Sequence, residues 1–232
     1  DDDATATIQE PGIEKVLFSQ EFDEGSGNQT IVGENFSFVV TIDLTEGVID
    51  DAVFTDVVTA GGLELVGAEI ITFDPTITSS NGLGVGSTVT ASGGSSVTFD
   101  FGTLTVPSDN VEANDTIQIR VDARAPDALG ASAGDLLVNR ARLDWDGGQV
   151  QEFEGQRIIE PSLTMDKSAT PETVTAGNTV SYELDIQNVT GSFDAPACDL
   201  ELTDTLDPNL TLDIGSITIL LDGVDVTCNP GF

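Results

Sequence analysis

Histidine is absent from this chain, and cysteine, lysine, methionine, tryptophan and tyrosine are nearly so: two Cys, two Lys and one each of Met, Trp and Tyr in 232 residues. Each scarcity excludes a chemistry. A Ser-His-Asp or Cys-His device needs an imidazole base. A structural zinc site needs four Cys or His ligands. The glycine clusters at Gly82 to Gly86 and Gly93-Gly94 open no helix-like segment, so no phosphate-cradling loop is present. No enzymatic activity and no cofactor are expected. No apolar run is long enough to span a bilayer, and the start lacks a basic region followed by an apolar one. Asp1-Asp2-Asp3 reads as the start of a mature or excised segment, with any export signal or anchor outside this sequence. Basic residues are scarce too, seven against 41 acidic ones, for a formal charge of −34. Such a surface repels nucleic acid and anionic membranes, so neither is an expected partner.

What the chain has is period-two alternation. Phe36, Phe38, Val40 and Ile42 alternate with Ser37, Val39 and Thr41; Ile117, Ile119 and Val121 alternate with Gln118, Arg120 and Asp122. Val97, Phe99 and Phe101 repeat the pattern, as do Val180, Tyr182, Leu184 and Ile186. Alternation of this kind places one face on a core and the other in water. Short strands separated by turn signals predict an all-β fold of Ig-like β-sandwiches.

The chain also repeats itself. Glu10-Pro11-Gly12-Ile13-Glu14-Lys15 is answered by Glu160-Pro161-Ser162-Leu163-Thr164-Met165-Asp166-Lys167. Val32 to Phe38 is answered by Ala176 to Tyr182, and Val53-Phe54-Thr55-Asp56 by Glu201-Leu202-Thr203-Asp204. Apolar strands at Leu63 to Val66 and Leu210 to Leu212 follow. The expected organisation is an acidic lead segment (1–9), a first sandwich (10–159) and a second, incomplete within this chain, of about five strands (160–232). An incomplete sandwich exposes apolar edges that a strand from a neighbouring copy can fill. The lead segment, where Ala4, Ala6 and Ile8 alternate, is a candidate donor strand.

These residues resemble the tandem β-sandwich repeat domain of large bacterial and archaeal envelope proteins, which overlaps the isopeptide-forming domains of fimbrial proteins. The resemblance lies in a Lys in the first strand, the strand Val180 to Asn188, and Thr203-Asp204-Thr205-Leu206. The first repeat matches less closely, since Leu44 stands where Asn188 does. The resemblance implies an extracellular, cell-surface location and a structural or adhesive role.

Parity singles out three polar residues. Lys15 shares a face with Ile13 and Leu17, Asp56 with Ala52, Phe54 and Val58, and Asn139 with Leu137, Ala141 and Leu143. Lys167 and Asp204 are the equivalents of the first two in the second repeat. An inward Lys, Asp and Asn meet the requirements of an autocatalytic isopeptide bond: a neutral amine nucleophile, a protonated carboxyl and an amide electrophile. The competing reading is a buried Lys-Asp ion pair with Asn as a hydrogen-bonding partner.

Cys198 and Cys228 lie in the same half-repeat, and in an exported chain an even count reads as a disulfide; two free thiols are the alternative. Asp144-Trp145-Asp146-Gly147-Gly148 matches a fragment of a calcium loop, with Asp144 and Asp146 as the ligands; a tight hairpin turn is the competing reading. Asn28, Asn35, Asn114, Asn188 and Asn209 each open an Asn-x-Ser/Thr sequon. The function expected is a structural repeat of a surface filament, fimbria or adhesin stalk whose partners are neighbouring copies. The alternative is an adhesion module whose loops bind a carbohydrate or cell-surface ligand, though one Trp and one Tyr make a poor sugar platform.

Overall fold

Alternating strands of this kind need a facing layer to bury their apolar side, and residues 10–159 supply both layers. The structure, a computed structural model, describes residues 9–21, 28–126, 130, 132–189, 191–197 and 200–227. Among them there is no α-helix. One sheet is antiparallel throughout, in the order β1 (Gly12–Gln20), β3 (Asn35–Asp43), β9 (Thr116–Arg124), β5 (Glu64–Phe73), β7 (Thr88–Thr90). The other has the order β2 (Gln29–Ile31), β11 (Gly148–Ile159), β10 (Leu136–Trp145), β4 (Gly47–Ala60), β8 (Ser96–Val106), β6 (Thr78–Ser79). Its β2–β11 pair is parallel and the rest antiparallel. From β1 to β10 every connection passes from one sheet to the other; only β10 and β11 form a hairpin within a sheet.

The inner faces close on one hydrophobic cluster. Phe38, Val40 and Ile42 of β3, Ile117, Ile119 and Val121 of β9, and Phe54, Phe101, Leu104 and Leu143 from the opposite sheet are all fully buried within it. Phe101 lies between Phe73 and Phe99, with ring centroids 6.2 and 6.4 Å away, inside the range of favourable aromatic packing. At the end of β4, Gly61 has φ +82°, and a Cβ there would come within 2.7 Å of the Leu137 side chain. That turn therefore accepts only glycine and lets β10 lie close against β4.

Beyond Ile159, among the described residues, β12 (Leu163–Thr170) pairs only with β13 (Ser181–Asn188), in register from Leu163 opposite Asn188 to Thr170 opposite Ser181. By compactness the chain divides between Ala197 and Cys198, later than Glu160. The reason is local: Glu160 bridges in parallel to Asp194, the Glu160 amide donates to the Phe193 carbonyl at 3.1 Å, and the Arg157 guanidinium lies 5.3 Å from the Phe193 ring centroid. Residues 191–197 are thereby tied back to the first sandwich.

The unit from Cys198 onward contains one hairpin among its described residues, β14 (Leu220–Leu221) with β15 (Val224–Asp225). Its loop is Asp222-Gly223, at φ +48° and +79°. Positive φ at both loop positions is the type I′ turn, whose twist suits a two-residue hairpin. The strands expected over Thr203 to Leu206 and Leu210 to Leu212 are not formed. Alternation specifies a strand only where a neighbour hydrogen-bonds it and a facing layer covers it. Here Leu200, Leu202 and Leu212 are exposed.

Candidate functional site

Three strands deliver the polar residues that parity pointed inward. Lys15 stands on β1, an edge strand of the first sheet, between the partly buried Ile13 and Leu17. Asp56 and Asn139 stand on β4 and β10, neighbours in the second sheet, with Ala141 opposite Asp56 and Val58 opposite Asn139. That register sets Asp56 and Asn139 diagonally on one face, within side-chain reach. Lys15 is 3% exposed, and Asp56 and Asn139 are wholly inaccessible.

The three side chains converge on the Asp56 carboxyl. Lys15 Nζ donates to Asp56 Oδ2, and Asn139 Nδ2 donates to Asp56 Oδ1. The second Asn139 proton goes to the Val57 carbonyl at 3.1 Å. The Lys15 ammonium position also lies 4.6 Å from the Phe38 ring centroid. One carboxyl thus bridges an amine on one sheet and an amide on the other. Asn139 Oδ1 is buried with no hydrogen-bond partner among the described residues.

Burial shifts both members of this pair toward their neutral forms. Loss of water raises the Asp56 carboxyl above the ordinary carboxylate range, more strongly than the nearby Lys15 and the hydrogen bond from Asn139 lower it. Loss of water likewise lowers the Lys15 amine, more strongly than Asp56 and Glu154 raise it. Both shifts favour the same arrangement, with a proton on the carboxyl and a neutral amine on the lysine. Moving that proton from Nζ to Oδ2 exchanges nothing with solvent.

Two polar residues of β11 escaped the sequence reading. Glu154 stands directly opposite Asn139 in the ladder, half-buried. Gln156 is wholly buried, with neither amide atom hydrogen-bonded. The signal was the parity of Val150, Glu152, Glu154, Gln156 and Ile158, which shares a face with a core residue, Ile158, at its end. Glu34, also buried, accepts from Thr30 Oγ1 and the Ile31 amide, each at 2.9 Å, and holds the β2–β3 turn.

The second-repeat candidates sit differently. Lys167 is exposed on β12, its ammonium 4.9 Å from the Tyr182 ring centroid, and Met165 on the same strand face is exposed as well. No layer covers that face among the described residues. Asp204 is exposed and lies outside any strand. Cys198, Cys228 and the lead segment to Ile8 lie outside the described residues.

Asp144 to Gly148 forms the tight β10–β11 turn: Trp145 pairs with Gly148 around Asp146-Gly147. Arg142 Nε lies 2.7 Å from Asp144 Oδ2, off a hydrogen-bonding line. Among the described residues no three acidic or cysteine side chains converge on a metal position.

No family model matches the chain, and no curated protein matches it in sequence. Among solved structures it is similar to the major pilin subunit of Bacillus cereus, at 13% identity and a TM-score of 0.40, over 78% of this chain and 54% of that one. It is similar to the backbone pilin of Streptococcus pyogenes at 17% identity and TM-score 0.37, over 68% of this chain and 37% of that one. A DUF4466 family protein from Parabacteroides merdae matches at 14% and 0.38, over 70% of this chain and 49% of that one. The chain thus spans about half or less of these three proteins. Likeness at this level carries nothing about ligand or assembly.

Proposed function

We propose that the chain is a structural module of an extracellular surface filament, fimbria or adhesin stalk, and that its first sandwich is locked by a covalent bond between Lys15 and Asn139. The observation that carries this reading is the Asp56 carboxyl, which holds the amine with one oxygen and the amide nitrogen with the other inside a dry core.

The chemistry follows from that bridge. The proton of the Lys15 ammonium passes to Asp56 Oδ2, leaving a neutral nucleophile. Nζ attacks Asn139 Cγ, and the Nζ–Cγ bond forms. Asp56 gives one proton to Nδ2 and takes one from Nζ. The Cγ–Nδ2 bond breaks and ammonia leaves. Asp56 ends protonated, the state its burial favours. No oxidant or cofactor is needed.

The bond would tie the edge strand of one sheet to an inner strand of the other, across the core. A load applied through the chain ends would then bypass everything between residues 15 and 139. Single-molecule extension tests this directly. The cross-linked chain is expected to extend without the 15–139 segment, a shortfall of about 400 Å at roughly 3.4 Å per residue. Release of the full contour length would show an unlocked sandwich and remove the mechanical role.

A further inference from the structure

The bridge leaves one requirement unmet. When Nζ attacks Cγ, negative charge develops on Asn139 Oδ1, and this atom is buried with no hydrogen-bond donor. Asp56 cannot serve it, since its two oxygens already engage Nζ and Nδ2. A preorganised donor at such an oxygen accelerates acyl transfer by about 10²- to 10³-fold.

The ladder supplies a candidate. Glu154 is the residue opposite Asn139 on β11. Opposed residues share a face, with Cβ atoms about 5 Å apart, so a glutamate side chain spans the distance to the amide oxygen. Glu154 is half-buried, between the wholly buried Gln156 and the exposed Glu152 on the same strand face. It therefore lies at the boundary between the dry site and water.

We propose that Glu154, as a neutral carboxylic acid, donates its proton in a hydrogen bond to Asn139 Oδ1 during attack, so that two carboxyls divide the reaction: Asp56 shuttles protons between the nitrogens and Glu154 polarises the carbonyl. This rests on the cross-linking reading above. Glu154 keeps its proton throughout, and the bonds made and broken are those already given.

Charge supports the assignment. Burial raises the Glu154 carboxyl above its ordinary value, and the neighbouring Glu152 adds to this; Lys15 and the Gly155 amide pull it down less strongly. The charged groups that bear on it are Lys15 from β1 and Glu152 on its own strand, while Arg140 on β10 bears on Asp56. The Lys15–Asp56 pair holds one proton as ion pair or as neutral pair, so it adds no pH dependence of its own between its end states. A carboxyl needed in its protonated form makes the rate full at low pH and falling as pH rises through its raised pKa.

The test follows cross-linking after dilution of never-folded chain from denaturant into buffers from about pH 5 to pH 8, sampled by mass. The wild-type rate is expected to fall across this range. Glu154→Leu should slow cross-linking by about 10²-fold or more at low pH. Glu154→Gln, which keeps an N–H donor but cannot titrate, should be less impaired and flat with pH. Gln156→Leu should leave the pH profile unchanged. Glu154→Leu with wild-type rate, or a profile that persists in Glu154→Gln, would overturn the role of Glu154 and leave the Lys15–Asn139 bond standing. A slow rate in Gln156→Leu alone would give the donor role to Gln156. A wild-type chain that never cross-links would overturn both readings together. Circular dichroism of each variant confirms that the sandwich has formed.

Discussion

Asp56→Asn is expected to leave the chain uncross-linked and to destabilise the first sandwich by about 8 kcal/mol, the largest single-residue effect in the molecule. Two losses combine. The proposed Lys15–Asn139 bond would close a loop of about 125 residues, and the chain-entropy model assigns such a closure about 5 kcal/mol. Among the described residues Asp56 is also the only anionic partner that hydrogen-bonds the Lys15 amine. Removing one member of a buried pair costs about 3–5 kcal/mol, because the remaining amine has neither water nor the carboxyl to share its proton with. For a domain of this size each kcal/mol moves Tm by roughly 2–4 °C, so the midpoint should fall by roughly 15–30 °C. Chemical unfolding followed through Trp145 fluorescence reads the change. A loss below about 2 kcal/mol would mean that neither the bond nor the buried pair contributes as argued.

Asn139→Ala separates the two losses. It removes the electrophile and keeps the Lys15–Asp56 pair, so only the cross-link and the amide hydrogen bonds disappear. The expected cost is about 5 kcal/mol. If the sandwich holds only an ion pair, the same substitution removes two hydrogen bonds and one orphaned buried oxygen, a change of about 1–2 kcal/mol. The double variant Lys15→Met/Asp56→Leu replaces the pair by apolar groups. It should be more stable than Asp56→Asn by about 3 kcal/mol, because no buried amine is left without its partner. Equal stability of these two variants would contradict the dependence of the buried Lys15 amine on Asp56.

The first sandwich was legible in the sequence because its alternation is backed by two complete layers. Ile117, Ile119 and Val121 share parity and are all wholly buried in β9. The site was legible for the same reason: period two alone puts Lys15, Asp56 and Asn139 on core faces, and the structure buries all three. What parity could not show was their convergence. The register of β10 on β4 sets Asn139 diagonal to Asp56, and which residues of two distant strands stand opposite each other leaves no mark in the sequence. Glu154 was passed over because it sits among the exposed Glu152 and Phe153, in a stretch that reads as a solvated edge. Its role depends on the residue opposite, which only the ladder reveals.

Past Ile159 the same pattern has a different outcome. Leu202 and Asp204 repeat the local sequence of Phe54 and Asp56, yet they form no strand and lie exposed. In the first sandwich β4 is flanked by β10 and β8 and covered by the other sheet. A strand pattern without those neighbours has neither ladder bonds nor a buried face to hold it.

The most direct test of the covalent lock is the mass of the intact, denatured chain, with protease mapping of the peptide that carries Lys15. The cross-linked chain is expected to have a mass lower than the sequence requires by one ammonia, and to yield a joined peptide containing both Lys15 and Asn139. Both should vanish in Asp56→Asn and Asn139→Ala. The joined peptide is decisive, since a succinimide at another asparagine also loses ammonia. A full sequence mass, with Lys15 and Asn139 recovered unmodified in separate peptides, would contradict it.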